Sequence, residues 1–171
     1  MNYLFGALIL VCLLFGLTGC LKDEPLDEYE NLDPIVLIPN ANWPAPAGMV
    51  KQIELPGNEM SAVVKLYGRV SWRQALDHDV QVMFRPNPSL IQEYNTAAGS
   101  DYVSLPADAY TMTVSPLIIP AGKQEAYLPV TILIDKMDRT KHYMLAFSIS
   151  KAEGHQVADN FRSVLFPFII K

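Results

Sequence analysis

The fold is decided by residues 125–135, EAYLPVTILID, in which apolar and polar side chains alternate. The apolar set of this stretch is Ala126, Leu128, Val130, Ile132 and Ile134. A period of two places successive side chains on opposite faces of a β-strand, so one face lies on a core and the other meets water. The stretch therefore predicts a long, half-buried strand.

The same alternation recurs in five other segments. Their apolar members are Ala62, Val64, Leu66 and Val70; Val80, Val82 and Phe84; Tyr110, Met112 and Val114; Tyr143, Leu145, Phe147 and Ile149; and Val164, Phe166, Phe168 and Ile170. A short strand is also predicted between Pro34 and Pro39. Pro129 and Pro167 lie inside alternating runs, and since proline has no N–H to donate, we expect them at a sheet edge or a bulge.

One short helix is predicted between Asn87 and Gly99. Asn87 is a candidate N-cap, Pro88 suits a first helical position, and glycine is favoured just after a helix. The face expected to be apolar consists of Leu90, Ile91, Tyr94, Ala97 and Ala98. We expect this helix to cap an end of the sheet structure. Many short strands joined by turn signals, with one helix, indicate an all-β Greek-key β-sandwich.

The N-terminus carries an apolar run that ends in residues 17–20, LTGC. This resembles a bacterial lipobox, which implies cleavage between Gly19 and Cys20 and acylation of Cys20. The alternatives are a transmembrane anchor or a chance cysteine. The first three residues depart from the usual signal peptide, because they lack the Lys or Arg that normally precedes the apolar run. The predicted organisation is a signal peptide at 1–19, a tether at 20–33 and a β-sandwich domain at 34–171.

The net charge of −5 lies entirely in the tether, because residues 20–33 carry six acidic residues and one lysine. The neutral domain has no basic stripe, which argues against nucleic acid as a partner. Lys22, Asp23 and Glu24 directly follow the lipid cysteine and resemble the surface-export signal of Bacteroidetes lipoproteins; a merely solvated acidic linker is the alternative. The expected location is the outer membrane, lipid-anchored, at the cell surface.

Few residues offer chemistry. After cleavage no free cysteine would remain for a disulfide, a zinc site or a thiol nucleophile. The three histidines are scattered, and residues 77–79, Asp-His-Asp, read as a solvated turn because neighbours on a strand point to opposite faces. We therefore expect no cofactor, no metal and no catalytic residues.

Two tryptophans are candidates for ligand binding. Sugars stack on exposed flat aromatics, with polar groups nearby for their hydroxyls. Trp43 lies in a proline-rich loop that has little reason to bury an indole, and Trp72 lies in a turn beside Arg73 and Gln74. The alternative for each is a core plug or a loop anchor.

Residues 88–130 resemble a domain of unknown function found near the N-terminus of Bacteroidetes surface lipoproteins. The matching features are Glu93-Tyr94-Asn95, Gly99 with Tyr102, Leu105-Pro106, Tyr110 and Ile119-Pro120-Ala121-Gly122. The resemblance implies an immunoglobulin-like sandwich in lipoproteins linked to glycan capture. The chain also has a weaker resemblance to calcium-binding Calx-beta modules. It lacks the paired acidic residues of those modules, so we expect no calcium site of that type.

These observations favour a non-catalytic outer-membrane lipoprotein, a cell-surface module for glycan binding or uptake support. Its expected partners are the membrane through the lipid anchor, a glycan, and other outer-membrane proteins. The alternative is a structural or adhesive subunit that binds protein partners through an edge strand. A third hypothesis, that the protein is a small hydrolase, is the least favoured.

Overall fold

The computed structural model describes residues 32–44, 50–113 and 116–171. Within that range, residues Asp33–Lys171 belong to one compact unit. The predicted signal peptide, Cys20 and the export-like residues 22–24 lie outside the described residues, as does Val114 of one predicted strand. No helix in the described part of the chain is both long and apolar enough to cross a bilayer.

Strands dominate the described residues. In chain order the elements are β1 (Ile35–Leu37), β2 (Ile53–Leu55), β3 (Ser61–Ser71), β4 (Val80–Pro86), α1 (Ser89–Ala98), β5 (Val103–Ser104), β6 (Tyr110–Met112), β7 (Leu117–Ile119), β8 (Glu125–Leu133), β9 (Tyr143–Ala152), β10 (Gln156–Val157) and β11 (Ser163–Ile170). Short 3-10 helices follow β8 at Ile134–Lys136 and precede β11 at Asp159–Phe161.

The strands form two sheets packed face to face. One sheet has the order β10-β1-β3-β8-β6, and the other has the order β2-β11-β9-β4-β7 with β5 added beside β9. Such a pair of mainly antiparallel sheets around one core is a β-sandwich. The predicted all-β, immunoglobulin-like sandwich with one short helix is confirmed.

Residues 125–133 of the alternating stretch form β8, which pairs along its whole length with β3 in antiparallel register. Val130 and Ile132 are buried and pair with Val64 and Ala62 of β3. Ile134, predicted in the same strand, is buried in the 3-10 helix that follows. Gly68 of β3 also faces this core, where a Cβ would lie 2.8 Å from Leu117 Cδ2. The sheets therefore approach closely at this glycine, and the predicted period of two is confirmed for both strands.

Strands β9 and β11 are buried on both faces. Tyr143, Leu145 and Phe147 of β9 face the core between the sheets. Met144 and Ala146, on the opposite face, pack in a second apolar cluster under α1. The members of that cluster are Trp43, Val50, Ile91, Tyr94, Met144, Ala146 and Leu165. The expectation that the helix caps an end of the sheets is wrong, because it covers the outer face of the β9–β11 pair.

The two ends of α1 have different outcomes. Gly99 adopts the left-handed conformation with φ 62°, which confirms it as the terminating glycine. Asn87 does not cap the helix, and Pro88 precedes the first helical residue without a side-chain cap. Instead, Asn87 Nδ2 donates to Ser148 Oγ at 3.0 Å, which ties the start of the helix to β9. Ala97, expected on the buried face, is exposed.

The two strand prolines lie where a neighbouring strand is missing or ends. Pro129 is one residue beyond the β6–β8 register, which ends at Val130. Pro167 lies on β11 just before its pairing with β2 begins at Phe168. Two residues earlier, on the same edge, the N–H and C=O of Leu165 bond to a side chain and not to a strand. Both β8 and β11 have a neighbouring strand on each side in their sheets, so neither proline lies in an edge strand. Each lies instead just beyond the end of the pairing with one neighbour.

Asn42 is the side chain that closes this gap. Its Oδ1 accepts from the Leu165 N–H at 2.7 Å, and its Nδ2 donates to the Leu165 carbonyl at 2.9 Å. The amide thus replaces one residue of a neighbouring strand. Partly buried backbone groups left without partners are costly, so this contact stabilises the open edge of β11.

We predict that Asn42→Ala lowers the free energy of unfolding by about 1–3 kcal/mol, because it leaves the N–H and C=O of Leu165 unpaired. Urea unfolding followed by circular dichroism measures this. The matched control is Asn40→Ala, which removes an exposed amide two residues away and leaves the midpoint unchanged. Equal midpoints for the two variants would contradict the role given to Asn42.

Candidate functional site

Trp43 is buried, with only 8% of its surface exposed. Its ring meets Tyr94 of α1 edge-on at a centroid distance of 5.4 Å, and its Nε1 donates to Glu93 Oε2 at 3.4 Å. The residue also bridges to Ser163 at the start of β11. The expectation of a free indole is wrong, because contacts with the helix and β11 enclose it. The indole face is not available to a sugar.

Trp72 is half-buried and packs against the main core. Its carbonyl accepts a hydrogen bond of 2.8 Å from Gln124 Nε2, and the Arg73 guanidinium lies 5.9 Å from its ring centroid. These contacts are typical of a loop anchor. Its role as a ligand contact stays a prediction without support from its position.

Two exposed Asp–His pairs lie on the surface, one of them in the Asp-His-Asp segment at residues 77–79. Asp77 Oδ1 lies 2.9 Å from His78 Nδ1, and this hydrogen bond lowers the pKa of Asp77 below its usual value. Asp101 makes the same contact with His142 at 2.8 Å, with the same effect on its pKa. No group of three metal-ligating side chains occurs among residues 32–44, 50–113 and 116–171.

The outer face of the five-stranded sheet presents a different arrangement, which we call the tyrosine face. It is defined by Tyr67 of β3 and Tyr127 of β8 with the side chains beside them on the same two strands. Those neighbours are Val63, Lys65, Arg69, Glu125 and Pro129. Each belongs to the parity that points away from the core, because Val64, Leu66, Val70, Leu128 and Val130 occupy the inward positions.

Tyr67 and Tyr127 are direct cross-strand partners. Their ring centroids lie 5.6 Å apart with an interplanar angle of 55°. Tyr127 is 47% exposed and Val63, four residues before Tyr67 on β3, is 60% exposed, while Tyr67 itself is half-buried. The face is therefore open to solvent mainly at Tyr127. The sheet holds both rings in place, because cross-strand aromatic pairs stabilise each other and the backbone register fixes their spacing.

Charged groups flank the tyrosines along β3. Lys65 Nζ lies 4.5 Å from the centroid of the Tyr127 ring, a cation–π contact. Arg69 lies on the other side of Tyr67, opposite Glu125 in the register. The face therefore combines aromatic rings with hydrogen-bond donors and one carboxylate. Such a combination suits a ligand that has both apolar faces and polar edges.

Sequence reasoning missed these two tyrosines. The signal was present, because Tyr67 and Tyr127 occupy the polar parity of two strongly alternating strands. An aromatic residue on the parity that faces water can pack on its cross-strand partner and still offer part of its ring to a ligand.

Two surface grooves lie elsewhere. The larger, about 720 Å³, runs beside Asn42 between β2 and the open edge of β11. The other, about 590 Å³, lies between the edges of β4 and β6 and includes Met83, Arg85 and Tyr110. The aromatic rings in both grooves are already engaged in the core, since Phe166 is buried and Tyr110 packs edge-on against Phe147. Neither groove offers a free stacking surface like that of the tyrosine face.

Comparison with known families gives a clear result. The profile of a family of N-terminal domains matches residues 33–156. The chain belongs to this family. None of the curated proteins compared with it matches.

Solved structures of Bacteroides proteins share the fold. A candidate carbohydrate-binding protein from Bacteroides ovatus aligns with 80% of this chain and 37% of its own length, at 17% identity and a TM-score of 0.61. A multidomain protein from the same species that includes DUF1735 aligns with 81% of this chain and 45% of its own, at 15% identity and a TM-score of 0.59.

A third similar structure is EndoBT-3987 of Bacteroides thetaiotaomicron in complex with a Man5GlcNAc product. It aligns with 71% of this chain and 28% of its own, at 16% identity and a TM-score of 0.56. In all three, this chain corresponds to less than half of the relative. The predicted resemblance to a domain of Bacteroidetes proteins is confirmed, and the structural likeness establishes a shared fold.

We predict that Trp43→Ala lowers the free energy of unfolding by about 3–5 kcal/mol, because it removes a buried aromatic from the cluster under α1. Thermal or urea unfolding measures the loss. Trp43→Phe keeps most of the apolar volume and serves as the control, with a smaller loss expected. A Trp43→Ala variant as stable as the parent protein would show that the indole is not part of the packed structure.

Proposed function

We propose that this chain is a non-catalytic, lipid-anchored module that binds glycans at the bacterial cell surface through the tyrosine face. The observation that carries the proposal is the Tyr67–Tyr127 pair, two aromatic rings 5.6 Å apart on a sheet face that the rest of the described structure leaves open. Aromatic rings bind the apolar faces of pyranoses, and the donors beside them bind hydroxyls.

The similar proteins support a glycan ligand. One is named a candidate carbohydrate-binding protein, and another is an endoglycosidase with a glycan product bound. Those names describe larger proteins, of which this chain matches 37% and 28%. We infer that this chain has a supporting, ligand-holding part in glycan use and not the chemical step.

The chemistry of the tyrosine face supports binding without catalysis. Glycoside hydrolysis commonly requires two carboxyl groups about 5–9.5 Å apart across the scissile bond. The β3 and β8 residues of the tyrosine face carry one carboxylate, Glu125. Asp77 and Asp101, whose pKa values are lowered, are exposed and already paired with histidines. A lowered pKa is the wrong direction for a general acid at neutral pH.

The anchoring part of the proposal rests on the sequence. Cys20 after residues 17–19 would carry the lipid, and the acidic tether would remain hydrated and keep the domain away from anionic headgroups. The residues Lys22, Asp23 and Glu24 would direct the protein to the outer face of the outer membrane.

For the anchor, we expect mass spectrometry of the protein from its native membrane to find residues 1–19 removed and Cys20 acylated. Protease added to intact cells should remove the domain. Cys20→Ala should leave the protein unlipidated, with its signal peptide retained. An unmodified Cys20 would refute the anchor, and full protection from protease would refute the surface location, while neither result would affect the binding face.

For the binding face, we expect Tyr67→Ala and Tyr127→Ala each to weaken glycan binding by about tenfold or more, as for aromatic hot spots worth about 2 kcal/mol. Affinity gel electrophoresis of the soluble domain against a panel of polysaccharides measures this. Phe161→Ala is the matched control, because Phe161 is 49% exposed, close to the 47% of Tyr127, but lies in the 3-10 helix before β11.

The outcome against the proposal is a domain whose migration no polysaccharide changes, or one whose binding survives both tyrosine substitutions. Either result would favour the second candidate function, an adhesive or structural subunit that binds other proteins. It is favoured by the groove between β4 and β6, where Met83 is 44% exposed beside two strand edges. Cross-linking from that groove to a single protein neighbour would support it.

A further inference from the structure

Two cations lie on either side of Tyr67 along β3. Lys65 and Arg69 are four residues apart and share the outward face. At about 3.3 Å per residue, their Cα atoms are about 13 Å apart. Tyr67 and Tyr127 are paired across the two strands, so a ligand chain that lies over both rings runs across β3 and β8, with Lys65 on one side of it and Arg69 on the other.

Neither cation is neutralised by a carboxylate in the described part of the chain. Among the described residues, no ion pair within 4.0 Å involves Lys65 or Arg69, although three other surface cations have such partners: Lys141 with Asp138, Arg162 with Asp159 and Lys171 with Glu54. Glu125, opposite Arg69, is the one acidic side chain on this face of β3 and β8.

The neighbouring strands add no charge to the face. The outward side chains in register are Ile35 and Leu37 on β1, Gln156 on β10 and Thr111 on β6. The outward groups of the sheet therefore comprise two cations and one anion, a net charge of +1, in a domain that is neutral overall. The aromatic pair is flanked by two cations, of which Arg69 lies opposite the one carboxylate, Glu125.

We infer that the tyrosine face selects anionic glycans, chains of sugars that carry carboxylate or sulfate groups. This inference rests on the proposed glycan-binding function and names its ligand class. The rings of Tyr67 and Tyr127 bind the sugar faces. The Lys65 ammonium and the Arg69 guanidinium bind anionic groups on the two sides of the chain, and Arg69 can bind a carboxylate or sulfate through two N–H groups.

The ionic contacts and the aromatic contacts are expected to contribute different amounts to the binding free energy. Exposed ion pairs contribute little and are screened by salt over about 8–10 Å. Each cation is therefore expected to change affinity by up to about fivefold, and the pair together by about tenfold. Affinity comes mainly from the tyrosines, and the preference for charged over neutral chains comes from Lys65 and Arg69.

The test compares polygalacturonan with its fully methyl-esterified form, which keeps the sugar backbone and removes the charge. We expect the intact soluble domain to bind the acid form about tenfold more tightly at low salt, and this preference to disappear at 1 M NaCl. The double variant Lys65→Gln with Arg69→Gln should bind both forms equally. Lys151→Gln, which removes an exposed cation from β9 of the other sheet, is the matched control and should keep the preference.

The outcomes separate the inference from the proposed function. Equal binding of the two forms by the parent domain, binding only of neutral polysaccharides, or an undiminished preference in the double variant would overturn the inference and leave glycan binding intact. Single-stranded DNA bound as tightly as polygalacturonan would also overturn it, because the face would then respond to charge alone. No binding of any polysaccharide would overturn both.

Discussion

The structure depends on the burial of β9 and β11 on both of their faces. One face of this strand pair closes the core between the sheets, where Phe147 and Phe168 are almost completely buried. The other face lies under α1 and Trp43, where Met144 and Leu165 are buried as well. Since burial of apolar surface contributes about 25 cal/mol per Å², this strand pair contributes to stability through both of its faces. Among the described residues, no helix packs on the outer face of the five-stranded sheet at Tyr67 and Tyr127.

A few hydrogen bonds hold α1 and the segment around Trp43, which together cover the six-stranded sheet, against β9 and β11. Ser148 and Ser163 face each other across β9 and β11 with hydroxyl oxygens 2.9 Å apart, and Asn87 at the start of α1 donates to Ser148. Asn42 pairs with the backbone of Leu165 on the other side of the cover. No buried side-chain N or O atom in the described residues lacks a hydrogen-bond partner. Satisfied polar groups of this kind favour one arrangement of helix and sheet, because each alternative would leave some of them unpaired.

The features of the fold that depend on local periodicity were predicted correctly from the sequence. The alternation in β3 and β8 identified their inward residues, and Gly99 marked the end of the helix. Contacts between distant residues could not be read in this way. Trp43 was predicted to be exposed because nothing in its proline-rich loop indicates contact with β11. That strand is distant in the sequence: the neighbouring Asn42 contacts Leu165, which is 123 residues away. The position of α1 was missed for the same reason, although Met144 and Ala146 at the outward parity of β9 were a usable signal. Tyr67 and Tyr127 gave the converse signal, because both are aromatic residues on the face of β3 and β8 that points away from the core.

The central claim is that glycans contact the open face of the five-stranded sheet. Hydroxyl-radical footprinting of the soluble domain, with and without a saturating polysaccharide that it binds, tests this most directly. The account predicts that Tyr67 and Tyr127 lose reactivity when the polysaccharide is added, while Met83 beside the β4–β6 groove and Phe161 before β11 keep theirs. Protection confined to Met83 or Phe161, with both tyrosines as reactive as in the free domain, would contradict it.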